Sequence, residues 1–398
     1  MTDATRRTFL GAAALAPAIL SARESGGDPV RIGLIGAGGR GTYLLDEIAK
    51  CSEATRVVAV CDVWSAAREK AAATVLKMNG KTPALSSRYQ ELLANKDVEA
   101  VIISAPDFTH SRILKEAIQA GKDVYCEKPM GTDFGEAKAA YLAVKESKQV
   151  VQIGTQRRSD PGLIAVAKLM REGVFGKVTR ADLQVHFQEQ RWRRDFHQID
   201  PAQIDWDAFA FNKDVIKDLR HWREWQLFRE TSNGIPGLWM SHLIDLAAWF
   251  LDDPYPKSVV ALGGVYLWHD GRQTQDVFQA MLEYPKQCLV SFAMSLTNSA
   301  GNRNLWFGTK GTLDGDRLKI TGDGSSMPDR LLEPVEIKPI PVESHMANFL
   351  RCVRSRQTPR ADIQAGFSHA VADCMAVAAY ETGKRIGFDA QKLEITQA

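Results

Sequence analysis

Residues 30–41 read Val-Arg-Ile-Gly-Leu-Ile-Gly-Ala-Gly-Gly-Arg-Gly, a strand-like run that passes straight into a G-x-G-x-x-G turn. Each glycine of that turn has a geometric task. Gly36 makes the tight turn, Gly38 lets the backbone approach a pyrophosphate, and Gly41 lets the following helix pack closely on the strand. Gly39 and Arg40 complete the loop, and the first N–H groups of the helix face an anion there. The glycine pattern alone is weak. Its context strengthens it, because a helical pattern follows and Asp62 ends the next strand-like run at 56–61. A carboxylate at that place accepts hydrogen bonds from adenosine ribose hydroxyls and repels a 2′-phosphate, so the expected cofactor is NAD. Arg40 and Arg68 are the residues that would receive a 2′-phosphate, which leaves NADP open.

Strand-like runs at 31–35, 56–61, 100–104, 123–126 and 150–153 alternate with helical patterns at 66–76, 111–120 and 136–145. This rhythm predicts a doubly wound parallel sheet. After Gly176 the rhythm changes. Runs at 178–187, 258–267, 276–284 and 288–295 have strand character, the last three follow one another without a helix, and Tyr284-Pro-Lys-Gln287 reads as a hairpin turn. The expectation is an α/β chain with a Rossmann domain over 29–152 and a C-terminal α/β domain with an open, largely antiparallel sheet over 153–341. Amphipathic patterns at 343–354 and 366–384 predict helices in a final segment, 342–398, that packs back on the first domain.

The N-terminus carries a second signal. Thr5-Arg-Arg-Thr-Phe-Leu-Gly11 precedes an alanine-rich apolar run to about Leu20. That run is shorter than the ~20 apolar residues needed to span a bilayer. An arginine pair before a weakly apolar stretch, with small residues around Ala16-Pro-Ala18 and Ser21-Ala22, predicts a cleaved twin-arginine signal over 1–28. That route exports folded proteins, so the expected location is periplasmic or otherwise extracytoplasmic. Six scattered cysteines with no C-x-x-C spacing fit a chain that folds with free thiols before export.

A net charge of +2 with 25% charged residues implies no nucleic-acid partner, and no other stretch has the length and apolarity for stable membrane insertion. His186, Asp195, His197 and Asp200 match no metal-ligand spacing, so no metal is expected.

Four further segments carry a family pattern: Ser104-Ala-Pro-Asp-Phe-Thr-His110, Gly121-Lys-Asp-Val-Tyr-Cys-Glu-Lys-Pro-Met130, Gln152-Ile-Gly-Thr-Gln-Arg-Arg158 and Gly308-Thr-Lys-Gly-Thr312. Together they resemble the Gfo/Idh/MocA oxidoreductases, from about residue 30 to 389, with Glu-Lys-Pro the most specific element. The resemblance implies a site between the two domains, a sugar or cyclitol substrate, and a homo-oligomer (dimer or tetramer) built through the C-terminal sheet. It also implies cofactor contacts at Ala105, Pro106, His110, Glu127, Lys128 and Gln156. The family's catalytic lysine falls on Lys128 and its histidine on His242, with Asp245 three residues on. The family's aspartate four residues before that histidine is here Leu238.

Oxidising a carbinol needs a hydride acceptor, a base for the hydroxyl proton, and a charge beside the developing alkoxide. NAD supplies the first. His242 suits the base and Lys128 the charge. Asp245 suits either a role in fixing the histidine tautomer or one in helix packing. Six of the nine tryptophans lie between 192 and 249, and Trp192, Trp222 and Trp225 sit among Arg191, Arg193, Arg220 and Arg223, a mixture suited to sugar faces and polar groups. The leading expectation is an exported oxidoreductase that keeps and recycles its nucleotide. The alternative is a glycoside-cleaving enzyme working by transient oxidation, elimination and re-reduction, although Glu-Lys-Pro is usually lacking in that branch. A binding-only protein is a third reading, prompted by Leu238.

Overall fold

The computed structural model describes residues 28–51, 54–211 and 215–397. The expected twin-arginine segment lies outside these residues, apart from its last position. The first domain alternates β1 (Val30–Ile35), α1 (Gly39–Ala49), β2 (Thr55–Cys61), α2 (Ser65–Asn79), β3 (Ala84–Ser86), α3 (Tyr89–Ala94), β4 (Ala100–Ile103), α4 (His110–Gln119), β5 (Asp123–Glu127), α5 (Phe134–Lys145) and β6 (Val151–Gly154). Its six strands are parallel, in the order β3-β2-β1-β4-β5-β6. The sequence had suggested all of these strands except β3.

β4 and β5 are buried at every position, as expected of central strands covered on both faces. The chain then forms α6 (Pro161–Arg171), β7 (Val178–His186), α7 (Trp206–Ala210), α8 (Leu219–Arg223) and α9 (Ser241–Leu251). β8 (Ser258–Gly264), β9 (Val277–Tyr284), β10 (Cys288–Ser295), β11 (Arg303–Gly308), β12 (Gly311–Asp314), β13 (Lys319–Thr321) and β14 (Val335–Glu336) follow. The last elements are α10 (His345–Ser355), α11 (Ile363–Thr382), β15 (Ile386–Asp389) and β16 (Glu394–Gln397).

The second sheet has ten strands, ordered β14-β13-β12-β11-β7-β10-β9-β8-β15-β16. It is antiparallel except at β7–β10, which are parallel. Burial alternates along β9 and β10, so one face lies on the core and the other is open.

The final segment differs from its expected form. Only α10 packs purely on the first domain, where Met346, Phe349 and Leu350 join the cluster built by β1, α1 and α2. α11 lies between the domains, against α5 and β6 on one side and β8 and α9 on the other. It is buried on nearly every side, in keeping with its alanine-rich sequence. β15 and β16 are strands that extend the second sheet. The two domains therefore share a core, and the sheet's C-terminal edge faces the second domain across a cleft.

Candidate active site

The glycine turn is shaped as a cradle. Gly36 has φ +91°, and a Cβ there would meet the Ser104 carbonyl carbon at 2.6 Å. A Cβ on Gly41 would collide with the Gly36 carbonyl oxygen, so this glycine holds α1 against the turn. Gly38 and Gly39 instead look onto open space, which lets their backbone approach a diphosphate. A cavity of about 450 Å³ lies there, lined by Gly36, Gly38, Gly39, Arg40, Asp62, Ala105 and Pro106 from the first domain. Asp62 accepts from the N–H of Ala37 at 2.7 Å and from that of Trp64 at 2.9 Å, which fixes the carboxylate at the cavity wall. The residues present fit a dinucleotide: a glycine cradle at a helix N-terminus for the diphosphate and a fixed carboxylate for the ribose.

Of the two arginines that would bind a 2′-phosphate, one is held in an ion pair and the other is tethered to a backbone carbonyl. Arg40 pairs with buried Glu127 at 2.7 Å, and Arg68 donates to the backbone carbonyl of Asp62.

Three of the expected cofactor contacts have other roles. Glu127 is 4% exposed and accepts from Arg40, from Gln156 at 2.9 Å and from the Tyr125 hydroxyl at 3.3 Å. Glu127 and Gln156 therefore brace the turn from behind. His110 is buried, with Nδ1 2.7 Å from the Pro129 carbonyl and Nε2 2.8 Å from the Ala105 carbonyl. It ties the loop after β4 to the turn after β5 and points away from the cavity. Gly41 likewise packs rather than lines.

The second domain roofs this cavity. Residues 200–211 and 215–226 lie at the sheet edge, where the Asp205 N–H donates to the Val63 carbonyl at 2.9 Å and Trp222 meets Trp64 edge-on with centroids 5.4 Å apart. Phe209, Trp222, Arg223, Trp225, Gln226 and Arg194 complete the lining. Trp222, Trp225 and Arg223, expected from the sequence at sugar faces, line this nucleotide cavity instead, and of the expected tryptophans Trp192 lines the cavity beside it.

A second cavity of about 500 Å³ adjoins it, sharing Arg194 and Gln226, and is lined also by Lys128, Leu238, Trp239 and His242. Lys128 directly follows β5 and precedes Pro129 through a cis peptide bond. Its Nζ donates to the Leu238 carbonyl at 2.7 Å. That carbonyl lies in a π-helical turn, Pro236–Met240, that leads into α9, an irregularity common at functional sites. Burial pushes the Lys128 ammonium down to about 8, against the attraction of Glu127, Asp107 and Asp373. His242, at the start of α9, is driven well below its usual range by burial and by the neighbouring charges of Lys128, Arg157 and Arg40. It is a neutral base at pH 7, with Trp239 at 5.8 Å between ring centroids.

Asp245 does not turn to this histidine. Its two oxygens accept from Arg158 Nε at 2.9 and 3.0 Å, a pair buried to 1% exposure on the aspartate side. Of its two expected roles, the structure assigns the packing one.

Behind Lys128 lie two carboxylates that the sequence did not single out. Asp107 and Asp373 are 2% and 0% exposed, and among the described residues none of their oxygens has a hydrogen-bond partner in good geometry, although the Ser232 side chain lies near Asp107. Burial pushes Asp107 up to about 7, with Lys128 opposing the shift. Asp373 is held well above the carboxylate range, again by burial. Asp107 stood within a quoted motif; its burial was the missing information.

A dinucleotide cradle, a roofed cleft and a lysine–histidine pair in one interdomain site define the architecture of a nicotinamide-dependent oxidoreductase. The chain belongs to the GFO/IDH/MocA oxidoreductase family: residues 30–155 match its NAD-binding Rossmann domain and residues 163–314 its C-terminal domain. It is similar to inositol 2-dehydrogenase from Rhizobium meliloti, 33% identical over 149 residues that cover 37% of this chain and 43% of that protein. It is also similar to inositol 2-dehydrogenase/D-chiro-inositol 3-dehydrogenase from Lactiplantibacillus plantarum, 26% identical over 194 residues, covering 48% of this chain and 51% of that one. The matched stretch thus spans about half the length of these relatives. Among solved structures, the WlbA dehydrogenase from Bordetella pertussis, in complex with NADH and UDP-GlcNAcA, shares the fold. Its TM-score is 0.69 at 21% identity, over 91% of this chain and 99% of that one.

Proposed function

We propose that this protein oxidises a carbinol of a sugar or cyclitol with NAD. The observation that carries this reading is the convergence of Lys128 and His242 on one cavity that opens beside the glycine cradle. Bound NAD supplies the hydride acceptor. The Lys128 ammonium, anchored by the Leu238 carbonyl, donates to the substrate oxygen and stabilises its developing negative charge. His242, uncharged at neutral pH, takes the hydroxyl proton. Trp192 and Trp239 supply flat apolar faces for a ring, and the roof over the nucleotide excludes water. The similarity to inositol dehydrogenases supports a polyol ring as the substrate class.

The arginine pair Arg6-Arg7 supports export in the folded state. Where no free nucleotide pool exists, the cofactor would stay bound and be recycled by a second substrate. A homo-oligomer through the second sheet belongs to the same reading. The open face of that sheet carries Val260, Leu262 and Met281, with Leu262 78% exposed.

The test is a polyol panel read by reduction of bound nucleotide. Lys128→Ala is expected to cost about 10²–10³-fold in turnover, the usual loss of a preorganised donor. His242→Ala is expected to cost about 10²–10⁴-fold. Both variants should keep the nucleotide. An unchanged rate in either, or loss of nucleotide in both, removes the assignment.

A further inference from the structure

The cavity that holds Lys128 and His242 is ringed by more cations than its carboxylates answer. Arg191 is paired with Glu189 at 2.9 Å. Arg193 is paired with Glu224 at 2.8 Å, and Arg220 approaches the same carboxylate at 3.3 Å. Glu224 is fully buried and also accepts from the Arg194 N–H at 2.9 Å, so its capacity is used.

The Arg194 guanidinium itself makes no ion pair among the described residues. Its Nη1 donates to the Arg223 carbonyl at 3.0 Å and to the Gln226 side chain. Those are neutral oxygens, and they leave the Nε and Nη2 edge without a partner among the described residues. Arg223 stands beside it on the wall of the nucleotide cavity, which Arg194 also lines; among the described residues Arg223 has no ion pair and its buried Nε no hydrogen-bond partner. Trp64 and Trp222 flank Arg223 at 5.6 and 5.8 Å.

Two adjacent guanidinium groups in a partly dry wall repel each other, and each loses hydration. Burial, and then the Arg223 charge, lower Arg194 from the usual arginine range, and the attraction of Glu224 offsets only part of this. Such an arrangement is costly unless an anion completes it. The backbone also departs from easy geometry here. Trp192 holds φ at +70°, uncommon for a tryptophan, and this turns the run Arg191–Arg194 along the cavity.

We propose that the substrate carries a carboxylate or phosphate as well as its carbinol, and that Arg194 receives this oxyanion while Lys128 and His242 engage the reacting hydroxyl. The proposal rests on the carbinol-oxidising reading above. The ligand class is an acidic polyol, a sugar acid or sugar phosphate. Its flat ring lies in the tryptophan-lined middle of a cavity of about 500 Å³, which is ample for a single ring. A free guanidinium edge can take two oxygens of such a group at once, which neutral hydroxyls cannot exploit as strongly.

The experiment uses the NAD-loaded full chain and isothermal titration with D-glucuronate and D-glucose 6-phosphate, with D-glucose as the neutral counterpart. At least one acid should bind roughly 10- to 100-fold tighter than D-glucose, the usual worth of hydrogen bonds to a charged group. That advantage should shrink as salt rises. Arg194→Gln should remove most of it and Arg194→Lys should restore part; because Arg194 also lines the nucleotide cavity, NAD affinity is measured in both, and the acid preference should fall by a larger factor than NAD affinity does.

Absence of any preference for either acid in the unmutated protein, including failure of both to bind, overturns the proposal. So does an Arg194→Gln variant that loses NAD instead, which would give the guanidinium to a phosphate of the dinucleotide. Should the variants not fold, the comparison of acids with glucose in the unmutated protein decides alone. The carbinol-oxidising reading fails separately, when no polyol of any charge reduces the bound nucleotide.

Discussion

Replacing Asp107 by asparagine tests how a buried lysine keeps its charge. Lys128 faces Glu127 at the end of β5, Asp107 in the loop after β4, Asp373 and His369 on α11, His242 on α9 and Arg40 on α1. Of these, Glu127 is already paired with Arg40. Asp373 is shifted well upward by burial, so it is a weaker countercharge than an ordinary carboxylate. Asp107, raised to about 7, is the carboxylate whose ionisation follows Lys128 through the working range.

With Lys128 at about 8, the ammonium is present below that pH and is lost as pH rises through it. Asparagine keeps the shape of Asp107 and removes the anion, so the lysine pKa must fall. A nearby opposite charge is worth about one pKa unit or more, close to 1.4 kcal/mol per unit. For a fall of about one unit, the charged fraction at pH 8 drops from roughly one half to one tenth, a rate loss of about fivefold. At pH 6 the lysine is charged in both proteins and the rates should coincide. The assay is single-turnover reduction of bound nucleotide from pH 5.5 to 9.5, with the alkaline limb of Asp107→Asn displaced toward acid. An unmoved alkaline limb, or one displaced toward alkali, refutes the reasoning.

Three other outcomes are expected. Asp62→Ala should weaken NAD binding and narrow the preference over NADP, measured by titration with both, because the carboxylate that repels a 2′-phosphate is gone; tighter NADP than NAD binding by the unmutated protein would contradict it. Asp373→Asn should raise the melting temperature at pH 8 more than at pH 4. The folded-state pKa of Asp373 is raised, so its contribution to stability is present below the unfolded carboxyl pKa and is lost as pH rises toward the folded value; equal shifts at both pH values would exclude that linkage. Arg6→Lys with Arg7→Lys should leave uncleaved protein in the cytoplasm on fractionation, and normal export of that variant would reject the signal.

The parallel half of the fold was legible because its central strands are short β-branched apolar runs, buried at every position in β4 and β5, and alanine-rich helical stretches separate them. β3 was missed for want of length: Ala84–Ser86 is three residues, mostly exposed, and is paired only to β2. The parallel pairing of β7 with β10 could not be read either, because their alternation fits either direction and the 100-odd residues between them decide nothing locally. β15 and β16 trail a long helix, and their short runs are strands only because the edge of β8 is there to pair with.

The site divides along the same physical line. Gly36, Gly41 and Asp62 act through their own backbone geometry or their place at a strand end, and such roles are visible in one dimension. Lys128 and His242 were found through the family resemblance, and the structure brings them to one cavity. The residues that were misjudged or overlooked depend on what tertiary packing sets beside them. Asp245 sits one helical turn from His242, yet Arg158 arrives from the loop after β6 and takes both of its oxygens. Asp107 looks like an ordinary loop aspartate until burial removes its water. Arg194 is one more arginine in a basic run, and it differs from Arg191 and Arg193 because those two pair with Glu189 and Glu224, while its own guanidinium makes no ion pair among the described residues and feels Glu224 only through space. An unmatched charge is a property of an arrangement, and it becomes visible only when every neighbour's partner has been accounted for.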